Sequence, residues 1–383
     1  MRTLRNILSL GLILIAIMFQ SCKKMDLNKS NQDSGILPAR FKVEIPASLS
    51  NISATTKNTK SATSGLQAQS DTLMGDEIYR QLNFFIAVGA GAADIVQGVI
   101  GSIVMYHIDK AMTVSFQSDD DRRIKNLVVV ENAEFDSRLW EYELTISDAL
   151  SESEADSGKG IQIFWNTSPI EGIAILKPYN INRDKNGNAL NTMYRIDYSE
   201  VPTSQYESTM MVEIADLPMP AATVEPFALK GMKMFVGKKG DNVDVFGNSD
   251  HPNAKFYTDR SGFSWSFVAS ALKTQNIGVA EVGLPPSNLD ASDRNVILKD
   301  YSIKNVLTTE IDQWFLDKFG FMPDSTGLAG YLKDADAPGF FADHGFVQGG
   351  IAPSAEYSPL VERINLLSPY NPKSVNELDI QFK

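Results

Sequence analysis

Three histidines, one cysteine and a few aligned carboxylates are the groups in this chain best suited to chemistry. His107, His251 and His344 have no second His or Glu at the three- or four-residue spacing that places two ligands on one helix face, so no metal pair is expected. His251 and His344 follow Asp250 and Asp343 directly, and the next residues are Pro252 and Gly345, a composition that predicts turns. No Gly-x-Ser-x-Gly elbow accompanies them, so a hydrolytic site would need a nucleophile that spacing does not reveal. Glu141 and Glu143 would lie about 7 Å apart on one strand face. Glycosidase carboxylates lie about 5–9.5 Å apart, but the alternation around these two reads as the wet side of an amphipathic strand. Asp184, Asn186 and Asn188 resemble the start of a calcium loop. Ala189 and Arg195 occupy the positions where that loop needs Gly and Glu, so a hairpin turn is expected there. Gly89, Gly91 and Asp94 echo a dinucleotide fingerprint, but they sit inside a helical pattern with no preceding strand. No metal or cofactor is expected from these patterns.

The aromatic residues are better organised. Trp140, Tyr142, Trp165, Tyr194 and Tyr198 all fall on the apolar phase of alternating segments. They are the expected ligand-lining residues of an apolar pocket, or else the core of the sheet that carries them.

Around these residues the pattern predicts a β-dominated α+β chain. Residues 76–107 read as one long helix, with Ile78, Tyr79, Leu82, Phe85 and Ile86 at helical spacing. It is apolar nearly all round, which fits a buried or a spanning helix. The small residues from Ala87 to Ala93 and the mid-span Asp94 favour a core helix. Alternation at Met112–Gln117, around Trp140, Ile161, Tyr194, Met210 and Met232, and through 263–284 predicts antiparallel strands joined by turns. Successive hairpins of this kind curl into a barrel or half-barrel. Short strands are expected at 40–46 and 378–382, and helices at 309–319, with Thr309 as its cap, and at 325–334. The expected divisions are a signal peptide at 1–21, a flexible tether at 22–74, a helix-plus-sheet domain at 75–286 and a small mixed region at 287–383. The tether assignment rests on the Ser, Thr, Asn and Lys content of residues 50–70.

The N-terminus bears on location. Arg2 and Arg5 precede an uncharged, mostly apolar run at 7–18, followed by Phe19, Gln20, Ser21 and Cys22, then Lys23 and Lys24. A basic start, a short apolar centre and a small residue at the cut describe a secretory signal peptide. The run is well short of the about 20 residues a spanning helix needs. With cysteine directly after the cut, the segment resembles a bacterial lipobox. Its departures from the usual pattern, Phe19 and Gln20, with the Lys-Lys that follows, look like those of Bacteroidota envelope lipoproteins. The resemblance implies acylation, including palmitate, at Cys22 and anchoring at the cell envelope, in the outer membrane. Because the chain has a single cysteine, no intrachain disulfide or thiolate metal site is expected.

The net charge of −12 argues against nucleic acid as a partner, since phosphate binding needs a basic surface. The resulting expectation is a membrane-anchored envelope lipoprotein with a non-enzymatic role, binding a protein partner or an apolar ligand. The alternative is an envelope hydrolase with an unrecognised site.

Overall fold

A computed structural model describes residues 36–38, 40–51, 73–104 and 110–383. Cys22, the signal segment, residues 52–72 and His107 lie outside the described residues. The chain forms two compact units. The first comprises Met1–Val43, Gly91–Pro218 and Asp379–Lys383, and the second Glu44–Ala90 and Met219–Leu378. The long helix α1, Gly75–Val104, belongs to both, with the division falling after Ala90. Glu77 accepts a hydrogen bond from the Met74 backbone N–H at 2.8 Å, one half of a capping box at the start of α1. Asp76 and Glu77 also place negative charge at the positive end of the helix dipole.

The first unit carries a seven-stranded antiparallel meander: β1 Met112–Gln117, β2 Ile124–Phe135, β3 Arg138–Asp148, β4 Lys159–Thr167, β5 Ile170–Leu176, β6 Met193–Ser199 and β7 Ser208–Ala215. Sheet order follows chain order. One face is a continuous apolar layer. Leu144 opposes Ile163, Ile163 opposes Ala174, Ala174 opposes Ile196, and Ile196 opposes Val212, all of them buried. Residues 36–38 and 40–43 lie on this layer. The Phe41 ring is fully buried beside Tyr198, with centroids 5.7 Å apart. It sits over Gly172, where a Cβ would come within 2.8 Å of the ring and 2.5 Å of the Phe164 carbonyl oxygen. Gln97 of α1 accepts the Phe41 N–H at 2.7 Å, and Lys42 pairs with Asp94. The expected tether thus contains a stretch, 40–51, that is packed into the fold and forms no strand at 40–46. Its alternation reflects contact of one side with the sheet, without a ladder partner.

At one end of this meander, Lys125 is buried with all three ammonium protons satisfied. It donates to Asp121 and Asp148 at 2.9 Å each and to the Asn180 carbonyl oxygen at 3.0 Å. Burial pushes the Asp148 carboxyl up, but hydrogen bonds from Arg123 and Lys125 outweigh it and hold it well below the usual carboxylate range. Asn186 opens the expected turn, its carbonyl oxygen accepting the Ala189 N–H at 2.8 Å, but within a longer connection than a tight hairpin. It is buried in the long β5–β6 connection, where its amide donates to the Pro178 and Asn182 carbonyl oxygens at 3.0 Å each.

The second unit is a six-stranded antiparallel meander: β8 Gly231–Lys239, β9 Asn242–Lys255, β10 Ser261–Leu272, β11 Ile277–Gly283, β12 Gly339–Ala342 and β13 Gly345–Gly349. Residues beyond 287 therefore extend the sheet as well as cover it. Among the described residues β1 pairs with β2 alone and β13 with β12 alone, so neither meander closes on itself as a barrel would.

Helix covers both faces of this second sheet. On one side, residues 75–90 of α1 bury Ile78, Tyr79, Leu82, Phe85 and Ile86. Tyr79 stacks on Phe346 at 4.9 Å, and Gly89 leaves room for the Met234 side chain. On the other side, Ile297, Leu298, Tyr357, Leu360 and Ile364 form one apolar cluster with Val268, Val279 and Phe340 of the sheet. Helix α2 spans Ile303–Phe319 and starts two turns earlier than Thr309, because Ser302 accepts the Asn305 N–H as its cap. The Thr309 hydroxyl donates instead to the Asn305 carbonyl oxygen at 2.9 Å. Gly320 ends the helix in the left-handed region, φ 78°. Helix α3, Ser325–Tyr331, is capped by Asp324, and residues 378–382 form no strand.

If residues 40–43 are core, Phe41→Ala should cost about 3–5 kcal/mol in urea unfolding, as loss of a fully buried aromatic side chain does. A change within about 0.5 kcal/mol, the size of a surface effect, would return this stretch to the tether.

Candidate functional site

Four of the five expected aromatic residues are buried in the first unit: Trp140, Trp165, Tyr194 and Tyr198. Tyr142 is half-buried and stacks on Trp165 with centroids 5.4 Å apart. Three of their polar tips are met by the chain itself. Trp165 donates to the Ile36 carbonyl oxygen at 2.7 Å and Trp140 to the Phe135 carbonyl oxygen at 3.2 Å. The Tyr198 hydroxyl donates to Glu200 at 2.6 Å. Burial raises the Tyr194 hydroxyl to about 12. A ligand pocket leaves a few convergent polar groups turned towards its occupant. The Trp140 and Trp165 indoles and the Tyr198 hydroxyl are instead turned to carbonyl and carboxylate oxygens of the protein.

His251 lies inside β9 and not in a turn as its Asp-His-Pro context suggested. Its imidazole is fully buried. Trp265 packs against it edge-on at 4.7 Å and Phe85 from α1 at 4.3 Å. Nδ1 is 3.1 Å from the Phe227 carbonyl oxygen, and Nε2 is 2.7 Å from the Ser249 hydroxyl. A carbonyl only accepts, so the proton resides on Nδ1 and the Ser249 hydroxyl donates to Nε2. That is the hydrogen-bond pattern of an activated nucleophile and its base. Two observations turn it into core structure. The orienting acceptor is a backbone carbonyl and not a carboxylate. Ser249 and His251 are both at zero exposure, with the Phe85 and Trp265 rings against the imidazole, so no substrate carbonyl can reach the hydroxyl. Burial holds the imidazole down at about 3, which keeps it neutral.

The opposite face of β9 and β10 holds a second buried polar row. Asp244 accepts from Ser270 at 2.8 Å and from Arg363 at 2.6 Å. Asn248 donates to Ser266 and accepts from the Tyr370 N–H at 2.8 Å. Asp250 ends the row, its carboxyl raised by burial, with Oδ1 lacking a hydrogen-bond partner. His344 lies in the β12–β13 turn, as its context suggested. Glu141 and Glu143 do not act together: Glu141 accepts from Thr167, and Glu143 from Gln162 and Lys383. Among the described residues no cluster of His, Cys, Asp and Glu is arranged to hold a metal ion.

What the sequence pattern missed is an exposed aromatic surface at the end of α2. Tyr257, Trp314, Phe315, Phe319, Phe321 and Tyr331 contact one another ring to ring. Phe319, Phe321 and Met322 are more than half exposed. Glu310, buried on α2, holds the neighbouring loop by accepting from Thr258 and pairing with Arg260 at 3.0 Å. The sequence signal was present as Phe319-Gly320-Phe321-Met322-Pro323, which spans the helix-ending glycine.

His251 makes stability depend on pH in a defined direction. The unfolded imidazole binds a proton near its ordinary pKa of about 6.5, whereas the folded one does not until about 3. Stability is therefore complete above about 6.5 and is lost as pH falls towards 3. Between pH 7 and pH 5 the native chain should lose about 2 kcal/mol more than His251→Gln in urea unfolding. Parallel pH profiles would show that the imidazole is not sealed. No protein family, curated protein or solved structure matches this chain.

Proposed function

We propose that this protein is a membrane-anchored envelope lipoprotein, acylated at Cys22, whose folded body has a non-enzymatic role in binding a protein partner. The lipobox-like segment at 19–24 supports the anchor and an outer-membrane address. The observation that carries the binding role is the exposed surface of Phe319, Phe321 and Met322. Exposed aromatic and methionine side chains in one patch are the composition of a protein interface core. Between a partner and an apolar ligand, the aromatic residues first expected to line a pocket favour the partner, because the chain's own residues 36–38 and 40–43 lie against that layer. The hydrolase alternative rests on the Ser249–His251 contact, which is closed to solvent.

Feeding cells a clickable fatty acid should label the native chain and leave Cys22→Ala unlabelled and released from membranes. Equal membrane retention of Cys22→Ala would overturn the anchor. In native mass spectrometry of protein extracted from its own membranes, a protein adduct should be present in the native chain and lost in Phe321→Ser. An apolar small-molecule adduct retained in both would instead favour the ligand reading.

A further inference from the structure

Strand β1 ends the first meander with its outer edge unpaired among the described residues. Such an edge is a template for another strand, and proteins usually blunt it with charge, proline, a bulge or short length. Strand β13 of the second unit is blunted in this way: it carries Gly345 and Gly349, and its pairing with β12 shifts register between Phe340 and Phe341. Strand β1 has none of these devices. Its six residues, Met112-Thr113-Val114-Ser115-Phe116-Gln117, include no charge, proline or glycine. They pair with β2 in unbroken register and are largely exposed, Val114 at 38%.

We propose that β1 pairs antiparallel with β1 of a second copy of this chain, about a two-fold axis through Ser115. A two-fold perpendicular to the sheet keeps apolar side chains on one face only if it passes through a residue, because side chains alternate. On the Ser115 axis Val114 lies opposite Phe116 of the other copy, an aromatic–β-branched pair of the favourable kind. Thr113 lies opposite Gln117, polar against polar. Lys110, which is exposed, comes up to the exposed Asp119 and Asp120 of the other copy. Moving the axis to Val114 keeps apolar side chains opposed but sets Lys110 against Ser118 instead of Asp120. Of the chain's own undescribed stretches, 23–35 and 52–72 contain no aromatic residue to set against Val114.

The test uses the full chain with Cys22→Ser, so that it is independent of acylation and an introduced thiol is the only one. Directly opposed residues in an antiparallel pair have Cα atoms about 4.5–5.5 Å apart, within disulfide reach. Ser115→Cys should therefore give a covalent dimer under mild oxidation. Thr113→Cys should not, because its symmetry mate lies on the order of 13 Å away along the strand. Sedimentation velocity should show a concentration-dependent dimer that Val114→Lys weakens more than tenfold with the melting temperature unchanged. A chain that stays monomeric at every concentration and gives no Ser115→Cys dimer overturns the proposal. So does cross-linking of Thr113→Cys as fast as Ser115→Cys.

Discussion

The packing of residues 78–86 of α1 onto β8–β11 is the contact on which the second unit depends. It buries Ile78, Tyr79, Leu82, Phe85 and Ile86 completely, and it closes one side of a sheet whose other side is closed by the C-terminal helices. A sheet covered on both faces offers little water to its side chains, so its polar residues are driven to find partners in the protein, Asp250 Oδ1 being an exception. That constraint accounts for the pairing of Ser249 with His251, of Asp244 with Ser270 and Arg363, and of Asn248 with Ser266 and the Tyr370 backbone. It also accounts for the low proton affinity of His251, which could be charged only at the cost of an unsolvated cation.

The first unit meets the same demand differently. One face of its meander is apolar and is covered in part by an N-terminal stretch with no regular structure of its own, which contributes Phe41 as a single deep anchor. The opposite face is charged and pairs its groups laterally: Arg195 bonds Asp197 and Asp136, and Glu143 bonds Gln162 and Lys383. Asp197 nevertheless has its carboxyl raised, because burial outweighs the favourable Arg195 contact. The Trp140 and Trp165 indoles and the Tyr198 hydroxyl on the apolar side bond the chain's own carbonyl and carboxylate oxygens. Exposed apolar surface remains at the aromatic end of α2 and along the uncharged edge of β1.

The regular strands were legible because half-buried strands alternate. Trp140 to Ile146 and Tyr194 to Tyr198 show a period of two that only an antiparallel sheet with one apolar face produces. Strand β9 was not legible for the opposite reason. Both of its faces are buried, and one carries Asp244, Asn248 and Asp250, so its sequence reads as a run of turn-forming residues. The start of α2 was misplaced because Ser302 and Thr309 are equally good caps in sequence, and only the packing of Ile303, Val306 and Leu307 chooses between them. Residues 40–46 read as a strand because one side of an extended segment pressed on a sheet alternates just as a paired strand does.

The sequence by itself determined the β-dominated class, the antiparallel meander, the long apolar helix and the lone Cys22, since each depends on local periodicity or composition. Only the tertiary structure decided which polar residues are sealed and which aromatic residues are exposed. Those outcomes depend on residues distant in sequence: Phe85 and Trp265 over His251, Ile36 capping Trp165, and packing that leaves Phe321 more than half exposed. A side chain's chemistry is set by the partners that folding brings to it, and periodicity along one segment contains no information about the segment that will lie across it.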